Sequence, residues 1–181
     1  MPHTRAARRR WRDHIITPAD VGRANRAVVR EMEALGLWSA RLDHVDVLWV
    51  PASVLCYGWY QGEILIPGIA GVRLLEFIRG IHTSLRDVLR HEWAHAVADH
   101  RPAAIGTKRF VSAFGGSYDG EEKVSHYDPD HHLTLYAATC PCEDFAEVFH
   151  FYLKHKGRLP VRLRNKPAIV RKWEFIRRLA R

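Results

Sequence analysis

The 181-residue sequence lacks the features that mark secreted, membrane-spanning and repeat proteins. Its three cysteines, Cys56, Cys140 and Cys142, are an odd number that provides no disulfide framework, which favours a reducing compartment. No run of about 18 uncharged apolar residues is present, so no membrane-spanning helix is expected. The basic start of the chain is not followed by an apolar segment. We therefore predict no secretory signal, and expect a cytoplasmic protein that does not bind membranes.

The composition excludes wholesale disorder. Hydrophobic residues make up 47% of the chain and charged residues 27%, which is ordinary for globular proteins. The length fits one domain with one substantial core better than two domains. We predict a single domain over residues 18–181, preceded by a basic, flexible tail over residues 1–17.

Charge is distributed unevenly along the chain. Residues 1–12 contain five arginines and no acid, and residues 154–181 contain eleven basic residues and one acid, so together these ends carry a net charge of +15. Residues 13–153 carry a net charge of −7. Basic ends of this kind can contact nucleic acid or an acidic protein partner, although solvated charge that aids solubility is the simpler interpretation.

The spacing of apolar residues predicts an α+β fold. Thr17 and Pro18 are typical of a helix start, and Gly36 of a helix end. A strand is predicted over 45–50, followed by a hairpin whose second strand, Glu63–Pro67, ends in a proline that suits a sheet edge. Three further helices are predicted over residues 82–99, 142–156 and 167–180. Residues 103–141 are rich in Gly, Asp, Pro and His, which indicates a long loop-rich insertion.

The helix predicted over 82–99 contains the pattern H-E-x-x-H. His91 and His95 are four residues apart, so their rings lie on one helix face and can reach a single Zn²⁺ ion. Glu92 lies about 100° around the helix axis, close to such an ion without binding it. A carboxylate at that position can act as a general base toward a zinc-activated water molecule.

A surface helix with two solvated histidines would show the same spacing. However, the segment is rich in Leu, Val, Trp and Ala, so we expect it to be largely buried. Burying two imidazoles and a carboxylate without hydrogen-bond or charge partners would destabilise the fold by several kcal/mol. A bound metal ion removes this cost, so the pattern favours a metal site.

A catalytic zinc ion needs a third protein ligand and one open position. The metzincin extension of the motif is absent, because Ala98 and Arg101 stand where a glycine and a third histidine are required. Glu143 and Glu147 share one face of the helix predicted over 142–156; one can bind zinc while the other holds an imidazole through its second ring nitrogen. Less favoured ligands, which lie in the loop or beyond the helix, are His100, Glu121, Glu122, His126, His131 and His132.

The combination of H-E-x-x-H at 91–95 and E-D-F-A-E at 143–147 resembles the gluzincin metallopeptidases. It is most similar to small bacterial zinc metallopeptidase domains and to the protease domain of anthrax lethal factor. The resemblance covers about residues 45–181 and implies a zincin-like fold. In such a fold, a small mixed sheet packs on the H-E-x-x-H helix, and a second helix carries the glutamate ligand. Cys142 and Glu147 depart from the thermolysin-like pattern, which has Asn and Asp at these places.

The resemblance also implies roles for individual residues. Glu143 corresponds to the third zinc ligand and Glu147 to the residue that orients an imidazole. Tyr136, seven residues before Glu143, corresponds to the tyrosine that assists the oxyanion or the leaving group, with Tyr127 as a rival. The implied activity is zinc-dependent hydrolysis of a peptide or protein substrate, with Glu92 as the general base.

Other interpretations stay open at this stage. The chain could be a zinc-stabilised, non-catalytic module that presents its basic ends to nucleic acid or an acidic protein, or a processing enzyme dedicated to one partner. The intact Glu92 favours catalysis. Strand Glu63–Pro67 could align a peptide or form an ordinary core hairpin, and residues 103–135 could form the other wall of the site. Cys140 and Cys142 could bind a metal or respond to oxidation, although a structural role is the simpler interpretation.

Overall fold

The computed structural model describes residues 14–53, 56–77, 84–120 and 127–180, with the backbone alone described for 75–77. The strands are β1 (Val47–Val50), β2 (Gly58–Tyr60) and β3 (Glu63–Pro67). The helices are α1 (Pro18–Ala34), α2 (Gly71–Phe77), α3 (Leu85–Asp99), α4 (Pro102–Ile105), α5 (Lys108–Phe114), α6 (Pro141–Lys154) and α7 (Pro167–Leu179). Short 3₁₀ turns occupy Ala40–His44, Tyr136–Ala138 and Val161–Leu163. These elements make a mixed α+β architecture, as the sequence predicts.

The three described strands form a mixed sheet in the order β1-β3-β2. Strand β1 pairs with β3 in parallel, and β2 pairs with β3 in antiparallel orientation across the predicted hairpin. The prediction that Glu63–Pro67 is an edge strand is therefore wrong. Pro67 is tolerated in the central strand because it is the last residue and lies beyond the last residue pair with β2, Gly58 with Leu65. The edges of the described sheet are β1 and β2.

Helix α1 begins as its sequence predicts. The Thr17 hydroxyl accepts a hydrogen bond from the Asp20 N–H, and the Asp20 carboxylate accepts one from the Thr17 N–H, forming a capping box. Gly36 follows the helix with φ of +67°, and a Cβ there would lie 2.6 Å from the Ala180 carbonyl oxygen. Both its conformation and its close approach to the end of α7 require glycine at this position.

Residues 14–17, which the sequence assigns to the flexible tail, belong to the folded domain. Ile16 is only 1% exposed, and its N–H donates to the Ile69 carbonyl oxygen at 3.0 Å. Ile15 forms an isolated antiparallel bridge with Ala70. The basic part of the predicted tail, residues 1–13, lies outside the described residues.

Helix α3 is the central helix of the fold and packs against α1, α6, β2 and β3. Leu89 and Trp93 are fully buried on it, as are Phe145 and Phe149 on α6. Burial of each such side chain contributes about 1.5–3 kcal/mol, which secures the packing of the two helices. Because α3 is enclosed on most sides, its polar residues also become buried and must find partners inside the protein.

The segment 103–141 contains more regular structure than its composition predicts. Within the described part, α5 buries Phe110 and Phe114 against Phe145 and Phe175 in a cluster of aromatic rings. Thr107 caps α5, since its hydroxyl accepts a hydrogen bond from the Phe110 N–H. Phe110 and Phe114 are four residues apart, which is typical of one helix face. The neighbouring Gly, Asp and Pro residues favour a loop and outweigh this spacing in the prediction. No helix in the described part of the chain is long and apolar enough to cross a membrane.

Candidate metal centre

Helix α3 holds the two histidines of the H-E-x-x-H motif with their rings facing each other. The helix starts at Ser84, whose hydroxyl accepts a hydrogen bond from the Asp87 N–H, so the motif lies in its interior. The His91 and His95 ring centroids are 5.0 Å apart, and their Nε2 atoms are separated by 3.2 Å. Both Nε2 atoms therefore point to one common position.

Glu143 on helix α6 completes this group. Pro141 begins the helix, which places Glu143 in the first turn facing α3. Its Oε2 atom lies 3.0 Å from His91 Nε2 and 3.6 Å from His95 Nε2. The tertiary structure thus brings together the three residues predicted as metal ligands. The donor groups found among the described residues include none of the described alternatives, His100, His131 and His132. Glu121, Glu122 and His126 lie outside the described residues.

Glu147 lies behind His91, as the residue predicted to orient an imidazole should. Its Oε1 atom is 2.9 Å from His91 Nδ1, and its side chain is completely buried. A carboxylate can only accept, so His91 Nδ1–H is the donor and, in the neutral ring, Nε2 keeps its lone pair for the common position.

Tyr118 holds His95 in the corresponding way, and the sequence did not predict this role. Its hydroxyl oxygen lies 2.7 Å from His95 Nδ1, and its ring packs on Phe110 and Phe145. Burial raises the pKa of Tyr118, so the hydroxyl stays protonated, and its oxygen can accept a hydrogen bond from His95 Nδ1–H, which keeps the Nε2 lone pair for the common position. A tyrosine in a segment rich in Gly and Asp gives no periodic signal, and only the packing of α5 brings it to the site.

Tyr136 is the predicted tyrosine that lies at the site. Its ring stacks on His91 at 5.6 Å between centroids, and burial and the nearby Glu143 carboxylate raise its pKa. The rival, Tyr127, is 44% exposed and is not part of the cleft lining. Of the two tyrosines, the geometry favours Tyr136.

Glu92 faces the cleft and is held by the edge strand. Its Oε2 atom accepts a hydrogen bond from the Trp59 N–H at 2.8 Å. The preceding Gly58 has φ of +88°, and a Cβ there would lie 2.8 Å from the same oxygen. Glycine is therefore required at 58 to let β2 approach the carboxylate.

These residues line a cleft of about 600 Å³. Its polar floor is formed by His91, Glu92, His95 and Glu143, and one apolar wall by Leu65, Ile66, Leu74 and Val88. The remaining lining residues are Tyr57, Gly58, Trp59, Tyr118, Asp119, Gly120, Tyr136, Cys140 and Cys142. Both β2 and β3 therefore line the cleft, and β2, not Glu63–Pro67, is the strand at the edge of the described sheet.

The two imidazole nitrogens and the carboxylate around the common position would be stabilised by a cation. Two neutral imidazoles would direct their Nε2 lone pairs at each other across 3.2 Å, with a carboxylate oxygen beside them. Burial lowers the pKa of His91, but hydrogen bonds with Glu143 and Glu147 outweigh it and raise the pKa well above its ordinary value. Burial likewise raises the pKa of Glu143, but the two histidines outweigh it and hold this pKa below its ordinary range. Two imidazoles and one carboxylate are also a zinc donor set, so the residues fit the ion.

Beyond Glu147, the site connects to a buried network of charges that the sequence did not reveal. Asp87 Oδ1 accepts a hydrogen bond from Arg90 Nη1 at 2.7 Å and lies 3.2 Å from His150 Nε2. Asp87 Oδ2 accepts from Lys154 Nζ at 3.0 Å, and Arg90 binds both carboxylate oxygens of Glu31 at 2.7 Å. Asp87 therefore joins α3 to α6, and Arg90 joins α3 to α1.

His150 links this network to the candidate metal centre. Its Nδ1 atom lies 4.0 Å from Glu147 Oε1, and both side chains are completely buried. A second buried histidine thus lies close behind the carboxylate that contacts His91. Polar groups around the residues that hold first ligands are typical of metal sites.

Comparison with family models, curated proteins and solved structures found no match.

The stability of the metal-free protein should fall as the pH rises above the ordinary His pKa of 6.5. The folded-state pKa of His91 is raised, so its stabilising contribution is fully present below 6.5 and disappears as the pH passes through the raised value. One unit of pKa shift corresponds to about 1.4 kcal/mol. Urea unfolding at pH 6.5 and 9 in the presence of a chelator measures the change.

The matched control is His91→Gln, in which this pH dependence should be greatly reduced. Added zinc should reverse the trend in the unsubstituted chain, because the metal binds the unprotonated imidazole and competes with the proton. A metal-free chain whose stability rises from pH 6.5 to 9, by the same amount as in His91→Gln, would contradict the argument.

Proposed function

We propose that this protein is a zinc-dependent metallopeptidase of the gluzincin type. His91, His95 and Glu143 would hold the zinc ion, and Glu92 would act as the general base. The single observation that carries this proposal is the convergence of two Nε2 atoms and one carboxylate oxygen, within 3.6 Å of one another, on the floor of an open cleft.

The donor set supports zinc and a catalytic role for it. Imidazole nitrogens and a carboxylate oxygen suit zinc, and three protein ligands leave one coordination position for water or substrate. A zinc ion held there supplies Lewis-acid chemistry: it lowers the pKa of a water molecule and polarises a carbonyl group. A purely structural zinc site is usually closed by four protein ligands.

Glu92 is positioned to move the protons of peptide hydrolysis. It accepts the proton of the attacking water and delivers a proton to the departing amine. The Trp59 N–H fixes one carboxylate oxygen, which holds the side chain toward the cleft and leaves the other oxygen for proton transfer.

Peptide hydrolysis also requires stabilisation of the oxyanion and alignment of the substrate, which Tyr136 and strand β2 can provide. The Tyr136 hydroxyl, kept protonated by its raised pKa, can donate a hydrogen bond to the oxyanion of the tetrahedral intermediate. Strand β2 lies along the cleft at the edge of the described sheet, where an extended peptide can add main-chain hydrogen bonds. The apolar wall beside it fits an apolar substrate side chain.

A non-catalytic module with basic contact surfaces is the second candidate. Exposed basic residues of the region 154–180 support it: Lys156, Arg158, Arg162, Arg164, Arg171, Arg177 and Arg178. An acidic partner or nucleic acid would contact such a surface, and binding to duplex DNA would weaken steeply with salt. The same surface also fits a peptidase that docks one dedicated protein substrate. Glu92 in the cleft favours a peptidase over the non-catalytic module.

Metal analysis of the purified full-length chain, dialysed against zinc, tests the proposed ligands. We expect His91→Ala and Glu143→Ala each to bind at least one zinc ion fewer per chain than the parent. His131→Ala is the matched control, because His131 is an exposed histidine outside the group. Full zinc occupancy in Glu143→Ala would refute the assignment of the third ligand.

A further inference from the structure

The wall of the cleft carries a second group of donor atoms that the proposed peptidase mechanism does not use. Cys140, Cys142 and Glu143 each present a ligand atom, and these atoms lie within 4.8 Å of one another. Both cysteines are free, half-buried and part of the cleft lining. Their sulfurs are accessible to a small ion that enters the cleft.

The start of helix α6 creates this arrangement. Cys140 is the N-cap residue in an extended conformation, with φ of −162° and ψ of 163°, and Pro141 begins the helix. The change from extended to helical backbone turns Cys142 back toward Cys140, so their Sγ atoms lie 2.6 Å apart. The Cys140 side chain makes no capping hydrogen bond to the helix. The first turn of α6 therefore places the two sulfurs side by side.

The donor chemistry differs from that of the His91–His95 group. Two sulfurs with one carboxylate favour thiophilic ions, whereas two imidazoles with one carboxylate suit zinc in a catalytic setting. A tetrahedral zinc ion, with Zn–S bonds of about 2.3 Å, holds two sulfurs about 3.8 Å apart. Rotation of the two cysteine side chains can supply this separation.

We propose that Cys140 and Cys142, together with Glu143, form a second metal site that takes a thiophilic ion such as Cd²⁺ or Zn²⁺. Glu143 has two carboxylate oxygens and can bridge this ion and the ion at His91 and His95. The two sites are then coupled, because a carboxylate shared between two cations donates less charge to each. Metal binding by the two sulfurs does not depend on peptidase activity.

Titration of the metal-free, reduced, full-length chain with Cd²⁺ tests the proposal. The readouts are the number of ions bound per chain and the sulfur-to-cadmium charge-transfer absorption. We expect two ions in the parent chain and one in the double variant Cys140→Ser/Cys142→Ser, which should lose this absorption. Cys56→Ser is the matched control and should keep two ions, because Cys56 belongs to neither donor group.

The double variant His91→Ala/His95→Ala separates this proposal from the proposed function. It should keep one Cd²⁺ ion with full sulfur absorption, whether or not the protein hydrolyses peptides. If that variant loses the absorption, the sulfurs bind the same ion as the histidines and the second site is wrong. A parent chain that shows no sulfur-to-cadmium absorption, whatever number of ions it binds, would overturn the proposal equally.

Discussion

Glu92→Gln is expected to lower peptide hydrolysis by about 10²–10⁴-fold while the protein keeps its zinc. Glutamine preserves the size of the side chain and can still contact the Trp59 N–H through its carbonyl oxygen. It cannot accept the proton of an attacking water at neutral pH. Cleavage of a mixture of peptides, followed by mass spectrometry, measures the rate without assuming one substrate.

The control for this prediction is Glu33→Gln, which removes the same charge from an exposed position on α1. Its cleavage rate and its zinc content should equal those of the parent. If the parent cleaves peptides and Glu92→Gln cleaves them equally fast, Glu92 is not the general base. Loss of zinc in Glu92→Gln would instead show that Glu92 contributes to metal binding.

Asp87→Ala should destabilise the fold by about 3–5 kcal/mol, the usual cost of removing one partner from a buried charge network. Arg90, His150 and Lys154 all lie within 3.2 Å of the Asp87 carboxylate, whose side chain is 3% exposed. Its removal leaves Glu31 as the carboxylate that the described residues provide to the Arg90 guanidinium, and takes the nearby carboxylate from His150. Urea unfolding of the metal-free chain at constant pH measures the loss.

Glu174→Ala supplies the matched comparison. Glu174 pairs with Arg177 on the exposed face of α7, and such surface pairs contribute at most about 1 kcal/mol. Asp87→Ala should also weaken zinc binding, because His150 lies between Asp87 and Glu147, the carboxylate that contacts His91. Equal stabilities for Asp87→Ala and Glu174→Ala would show that the buried network does not stabilise the packing of α1, α3 and α6.

The residues of the site differ in how far the sequence alone predicts them. The positions of His91, Glu92 and His95 on one side of a helix are predicted from their spacing along the chain, which is a property of the local sequence. A shared helix face and the ligands that zinc requires predict Glu143 and Glu147 as a pair, and the resemblance to gluzincins is what assigns metal binding to Glu143 and the orienting role to Glu147. Their contacts with the histidines depend on how α6 packs against α3, which the spacing does not contain.

The sequence does not predict some other features of the structure, and it predicts one of them wrongly. Tyr118 reaches His95 only because α5 packs its aromatic rings against α6 and α7. Asp87 is an ordinary first-turn acid in the sequence, and burial makes it the centre of a charge network. Strand β3 was placed at the edge because of Pro67, although a terminal proline is compatible with a central strand. Strand pairing joins distant residues, and local composition does not specify which strands meet.

The sequence by itself determined the α+β character of the chain, the start of α1, and the helix that carries two histidines on one face. These features arise from interactions between residues a few positions apart. The tertiary structure alone decided that Glu143 meets both histidines, that β2 flanks the cleft, and that Tyr118 and His150 support the centre. Such contacts depend on how the buried faces of separate elements fit together, and that fit arises only when the core forms.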